Sequence, residues 1–140
     1  MTRRTEGSTP RLDRLLLDTH TLLWWLAEPA RLSSTALTAI ADPGASIHVS
    51  AASGWEIATK VRLGKLPTAS ELLDDLPEVV AAQGFESLPV TLSHGLHAGR
   101  YDLPHRDPFD RLLAAQAELE GLTLISLDPA LRPFPCRLRW

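Results

Sequence analysis

Cysteine is nearly absent from this 140-residue chain: Cys136 stands alone. That excludes an intrachain disulfide framework and any zinc site built on several thiolates, and leaves Cys136 as a buried small hydrophobe. No HExxH arrangement occurs, and His94, His97 and His105 pair with no cysteine, so a zinc role for them is disfavoured. Neither G-x-G-x-x-G nor G-x-x-x-x-G-K-[ST] occurs, which disfavours a Rossmann or P-loop nucleotide binder. No apolar run approaches the roughly 18 residues needed to cross a bilayer. The opening MTRRTEGSTPR is basic but has no apolar stretch before Leu12, unlike a secretory signal. The expectation is a cytoplasmic protein with no membrane partner. Internal repeats and low-complexity tracts are lacking.

An excess of positive charge is lacking too. With 14 Lys and Arg against 17 Asp and Glu, the net charge is −3. That argues against a nucleic-acid binder working through a broad basic surface. The arginines at the two ends (3, 4, 11 and 14; 132, 137 and 139) read as solvated termini.

What is present suffices for a packed core: 44% hydrophobic residues and 22% charged, at a common domain length. Residues 1–11, rich in Thr, Arg, Gly, Ser and Pro, read as a mobile arm or an appended remnant. Residues 12–140 read as one domain. Within it, Leu12–Leu17 is an apolar run ending at Asp18, a buried strand. A helix follows over Thr19–Leu26, stopping at Glu28-Pro29, and Ser33 or Ser34 caps a second over Thr35–Ala41. Ser46–Ser50 is a strand, Ala51–Leu63 a helix ended by Gly64, and Pro67 opens a helical stretch through Leu72, Leu73, Leu76, Val79 and Val80 to Gly84. Phe85–Val90 is a third strand and Ser93–Tyr101 a short helix. Asp107 as cap and Pro108 at the first helical position start a helix to Leu119, with Gly121 as its stop. Leu122–Leu127 is a fourth strand ending at Asp128, Pro129–Pro135 a loop or single turn, and Cys136–Trp140 an edge strand.

Short apolar strands alternating with helices mean β-α-β units, hence an α/β fold with a parallel sheet between helices. In such sheets the functional crevice lies at the carboxyl ends of the strands. Asp18 and Asp128 fall at strand ends, Asp107 and Asp110 in the first turn of a helix, and Glu56 about one and a half turns into the helix after the second strand. Taken singly each has an ordinary explanation. Asp18 and Asp107 are natural helix caps, Asp128-Pro129 is a turn-initiating pair, and Glu56 between Trp55 and Ile57 fits an exposed face. Taken together, five carboxylates from four regions meet at one edge of the sheet. Crowded carboxylates repel unless cations neutralise them, and hard divalent cations prefer oxygen ligands. Such a site suits metal-assisted cleavage of phosphodiesters.

The segments LLLDTH (15–20), SGWEIA (53–58), RDPFDRLLAAQA (106–117) and ISLD (125–128) together resemble PIN-domain proteins, and more narrowly the VapC-type toxins of bacterial toxin–antitoxin pairs. The resemblance covers roughly Leu12 to Trp140. It implies a three-layer α/β/α fold whose sheet of about five parallel strands runs in the order 3-2-1-4-5. It implies an endoribonuclease dependent on Mg²⁺ or Mn²⁺, which cleaves RNA with a metal-activated water. Asp18, Glu56 and Asp110 match the family's acidic core, converging tightly enough to share an ion, and Asp128 its more variable fourth acid. Asp107 is an extra acid, available to ligate metal, to cap its helix, or both. Ser126 takes the place of a small hydroxyl residue near the metal. A cognate antitoxin on the Trp24-Trp25 helix and the acidic groove, and a homodimer, are the partners implied.

Other readings stand beside this one. A non-toxin PIN nuclease of RNA processing fits the same residues, and so does an acidic-groove module that merely receives a basic segment. An aspartyl-nucleophile phosphatase would need a D-x-D-x-T pattern, and here His20 takes the third position. Trp24, Trp25 and Trp55 read as core or interface aromatics, and His105 as a surface-loop histidine.

Overall fold

The computed structural model describes residues 13–140. The arm expected at 1–11, and Leu12 as the first residue of the first strand, lie outside the described residues. Five strands form one sheet: β1 (Arg14–Leu17), β2 (Ser46–Ser50), β3 (Glu86–Leu88), β4 (Thr123–Ile125) and β5 (Arg137–Arg139). Their order is β3-β2-β1-β4-β5, and all four pairings are parallel. The expected fold class and strand order are therefore borne out. No described helix is long and apolar enough to cross a membrane.

β1 sits at the centre because, after the exposed Arg14 at its start, its residues are leucines that need no water. Leu15, Leu16 and Leu17 are fully buried, as a strand covered on both faces requires. Successive side chains alternate between faces. Leu15 and Leu17 join one cluster with Leu22, Ala36, Ile40, Ile57 and Val80. Leu16 points the other way and packs with Leu113, Ala114, Ala117, Leu124, Leu131 and Phe134. Helices α1 (Thr19–Ala27), α2 (Ser34–Ala41), α3 (Ala51–Arg62) and α5 (Leu76–Ala82) thus supply the first layer, and α7 (Pro108–Glu120) the second, with α6 (Leu92–Arg100) packed on α7.

Where the elements differ from expectation, a backbone reason is visible. The single stretch expected from Pro67 breaks into a 3-10 turn at Pro67–Ala69, a short α4 (Ser70–Leu73) and α5. Pro77 has no N–H to return to the Leu73 carbonyl, so the helix stops and restarts. β3 closes at Leu88 rather than Val90, because Pro89 cannot donate to the ladder. β4 closes at Ile125 rather than Leu127. There the Asp128 amide donates to the Ser126 hydroxyl oxygen at 3.1 Å and turns the chain. Gly121 ends α7 at φ 67°, a left-handed cap that suits glycine.

The register levels the carboxyl ends: Leu17 lies opposite Val49 and Ile125, and Ile125 opposite Arg139. Asp18, Ser50 and Ser126 follow in one row along that edge. Leu16→Ala is expected to cost about 3 kcal/mol, since the central strand cannot collapse onto the void. Leu92→Ala, at an 83% exposed position, is expected to stay within about 0.5 kcal/mol of the parent; urea unfolding of both variants checks the contrast.

Candidate active site

The five acids singled out in the sequence line one cavity of about 450 Å³, together with Thr19, His20, Trp24, Lys60, Leu127 and Pro129. Each is placed by a local device. Asp18 caps α1, accepting from the Thr21 amide at 2.8 Å through Oδ1, and the Ser126 hydroxyl donates to its Oδ2. Asp107 caps α7, accepting from the amides of Phe109 (2.9 Å) and Asp110 (3.3 Å). Asp110 lies in the first turn, where the helix dipole favours an anion. Asp128 lies three residues past the end of β4, not at the strand's end as expected, and caps the 3-10 turn Pro129–Leu131. The capping explanations of Asp18 and Asp107, and the turn-initiating one of Asp128, are thus correct without removing these acids from the cavity.

Glu56 does not occupy an exposed face. It is 4% exposed, on the same side of α3 as Ala52, Ser53 and Ile57. The Thr19 hydroxyl is 2.6 Å from its Oε1, and the Lys60 ammonium is 2.6 Å from its Oε2. Trp55 faces outward, 56% exposed, edge-on to Phe109 at 4.6 Å. Trp24 and Trp25 are half-buried and pack on the core.

Three contributors were not among the sequence candidates. His105 is a loop residue, as expected, but a half-buried one: its Nε2 lies 2.9 Å from Asp110 Oδ2. Arg111 donates to the carbonyls of Ala98, Tyr101, Leu103 and His105 at 2.6–3.1 Å, stapling the linker between α6 and α7. Lys60 is the sole lysine or arginine among the described cavity-lining residues. The i,i+4 spacing of Glu56 and Lys60 was a legible signal. The Arg111 contacts run to a loop whose course no sequence pattern gives. His94 is buried in a cap, its Nδ1 accepting from the Thr91 amide at 3.0 Å. Cys136 is only half-buried, and burial pushes its thiol up to about 11.

Burial first, and then the charge of Asp107, push the Asp110 carboxyl from 3.8 up to about 6, against the His105 hydrogen bond, with Asp128 adding to the rise. The donor set suits a hard divalent cation: carboxylate oxygens, no thiolate, and five acids against one lysine. Among the described residues, however, no three His, Cys, Asp or Glu side chains stand grouped for an ion. Each acid accepts instead from the chain's own amides, hydroxyls, His105 or Lys60. A larger open depression of about 960 Å³ between Asp13, α2 and Arg139 gathers none of the five.

Residues 15–134 match the sequence profile of the PIN domain. The chain belongs to the PIN domain family. It is 34% identical over 121 residues to Ribonuclease VapC22 of Mycobacterium tuberculosis (strain ATCC 25618 / H37Rv), covering 84% of this chain and 89% of that protein. This PIN domain thereby stands with the VapC-type proteins. The same fold occurs in two solved structures. One is VapBC2 from Rickettsia felis bound to a DNA fragment from their promoter (TM-score 0.65, 15% identity, 90% of this chain and 97% of that one). The other is FitAB bound to IR36 DNA fragment (TM-score 0.54, 18% identity, 89% and 93%).

Between pH 4 and 6 the folded PIN domain keeps an Asp110 proton that the unfolded chain has released, so stability falls as pH rises through this range. Asp110→Asn removes that loss. In chelator at pH 7.5 the variant is expected to exceed the parent by on the order of 2 kcal/mol, and at pH 3.5 to match it; melting at the two pH values checks this.

Proposed function

We propose that this PIN domain is a divalent-metal-dependent endoribonuclease and the toxin half of a toxin–antitoxin pair. The observation that carries the reading is the convergence of Asp18, Glu56, Asp107, Asp110 and Asp128 on one cavity at the carboxyl edge of the sheet. The likeness to Ribonuclease VapC22 supports RNA as the substrate and cytoplasm as the place of action. A basic antitoxin segment in the acidic cavity and along α1, and a second copy of the chain, are the partners that go with it.

Asp18, Glu56 and Asp110 would hold Mg²⁺ or Mn²⁺, with Asp128 and Asp107 completing the oxygen set. The cation, when bound, supplies the positive charge that draws in a phosphodiester and acidifies a water for in-line attack. The chain's own groups orient that set. Thr21 and Ser126 fix the plane of the Asp18 carboxylate, Thr19 aims Glu56, and His105 turns Asp110. The raised carboxyl of Asp110 would have to give up a proton to a cation entering below about pH 6, so metal binding would weaken in that range.

A second reading, an acidic groove that only receives a basic segment, draws support from the donors already bound to every acid and from the lack of a preformed three-ligand group among the described residues. Purified chain with mixed RNAs, in Mg²⁺ and in EDTA, separates the two. The nuclease reading expects cutting that EDTA abolishes, and Asp18→Asn to lower the rate at least 100-fold while the melting temperature stays within a few degrees. Intact RNA under all conditions supports the groove module instead.

A further inference from the structure

Lys60 is unused by the scheme above. Its ammonium lies 2.6 Å from Glu56 Oε2, with 29% of its side chain exposed against 5% for Glu56. The other Glu56 oxygen already accepts from Thr19 at 2.6 Å. A carboxylate so deeply buried needs a compensating cation, and Lys60 is that cation in the free chain. It also lines the cavity, where it is the sole lysine or arginine among the described residues facing five acids.

A divalent cation claiming Glu56 meets an ammonium already on Oε2. Two positive charges on one oxygen repel at close range, so one must leave. The lysine stem is long and its charge compact, which lets the head swing without moving α3. With metal on the acids, the anionic oxygens of an entering phosphodiester are the strongest new partner the cavity offers it besides solvent. No other lysine or arginine among the described lining residues is placed to take those oxygens.

We propose that Lys60 has two successive partners: Glu56 in the metal-free chain, and a backbone phosphate of the RNA once metal occupies the acids. Lys60 is then a substrate-binding residue and an internal competitor of the metal. The inference rests on the metal-dependent nuclease reading. An ordinary helical i,i+4 ion pair on a solvated face predicts neither behaviour.

The chain has two lysines, Lys60 and Lys65, and Lys65 is exposed. Full-length chain grown with ¹³Cε-lysine therefore gives two side-chain signals, one of them an internal control. Saturating Mg²⁺ is expected to shift the Lys60 signal and leave Lys65 in place, and a short RNA is expected to shift Lys60 again. In calorimetry without RNA, Lys60→Gln is expected to bind Mg²⁺ roughly three- to tenfold more tightly than the parent. Its KM for RNA is expected to rise roughly tenfold, by more than kcat falls, and the slope of log KM against log salt to flatten by about one phosphate contact. Lys60→Arg is expected to recover most of the KM. A Lys60 signal that neither Mg²⁺ nor RNA moves, in a parent that binds Mg²⁺, overturns the inference while the nuclease reading stands. So does a folded Lys60→Gln with parental KM and Mg²⁺ affinity; should that variant fail to fold, the parent's two signals decide alone. A parent that takes up neither Mg²⁺ nor Mn²⁺ by calorimetry overturns the nuclease reading, and this inference with it.

Discussion

The two oxygens of Asp18 are taken from opposite directions: one by the Thr21 amide, the other by the hydroxyl of Ser126, 108 residues further along the chain. The Asp18 amide donates to the Ile125 carbonyl at 3.2 Å, and the Thr21 hydroxyl donates to the same carbonyl at 2.9 Å. The carboxyl ends of β1 and β4 are thereby fastened at the one place where parallel pairing alone would let them fray. The hydroxyl of Ser126 also turns the chain toward Asp128. The knot that closes the sheet edge therefore sets how far the first acid stands from the fourth.

Gathering like charges at that edge works against folding, and the offsets are visible group by group. Helix N-termini receive Asp18, Asp107 and Asp110, where unpaired amides and the dipole favour negative charge. Glu56, the deepest of the five, has a hydroxyl and an ammonium. Asp110 is left only partly compensated, and its carboxyl titrates near 6. Functional sites characteristically retain such local cost, which the rest of the fold offsets. Here three fully buried leucines in a row on the central strand supply much of that reserve.

The second helical layer reaches the site through Arg111. Its guanidinium meets four carbonyls and no carboxylate. Four of its five N–H donors thus tie the end of α6 and the linker that presents His105 to Asp110 and Asp107 to the start of α7. Because Arg111 follows Asp110 directly on the helix, the acid and the linker that steers it share one rigid segment. Packing of α6 on α7 is for this reason also a determinant of the acidic cavity.

Local chemistry decided much of this in advance. Asp107-Pro108 could only start a helix, Gly121 could only end one, and the uninterrupted leucines of β1 demanded a strand covered on both faces. With helices between the strands, a parallel sheet followed, and a parallel sheet puts every strand's carboxyl end on one side. The gathering of Asp18, Glu56, Asp110 and Asp128 was legible for that reason, and the motif resemblance added the strand order. Tertiary structure alone decided the rest, because it turns on which distant groups meet. Ser126 curtails β4 and turns its hydroxyl to Asp18, Pro89 shortens β3, and Arg111 brings the linker that makes a loop histidine a partner of Asp110. Lys60 could have been solvated at any exposed helical position. Only the burial of Glu56 against Thr19 made it the site's own cation.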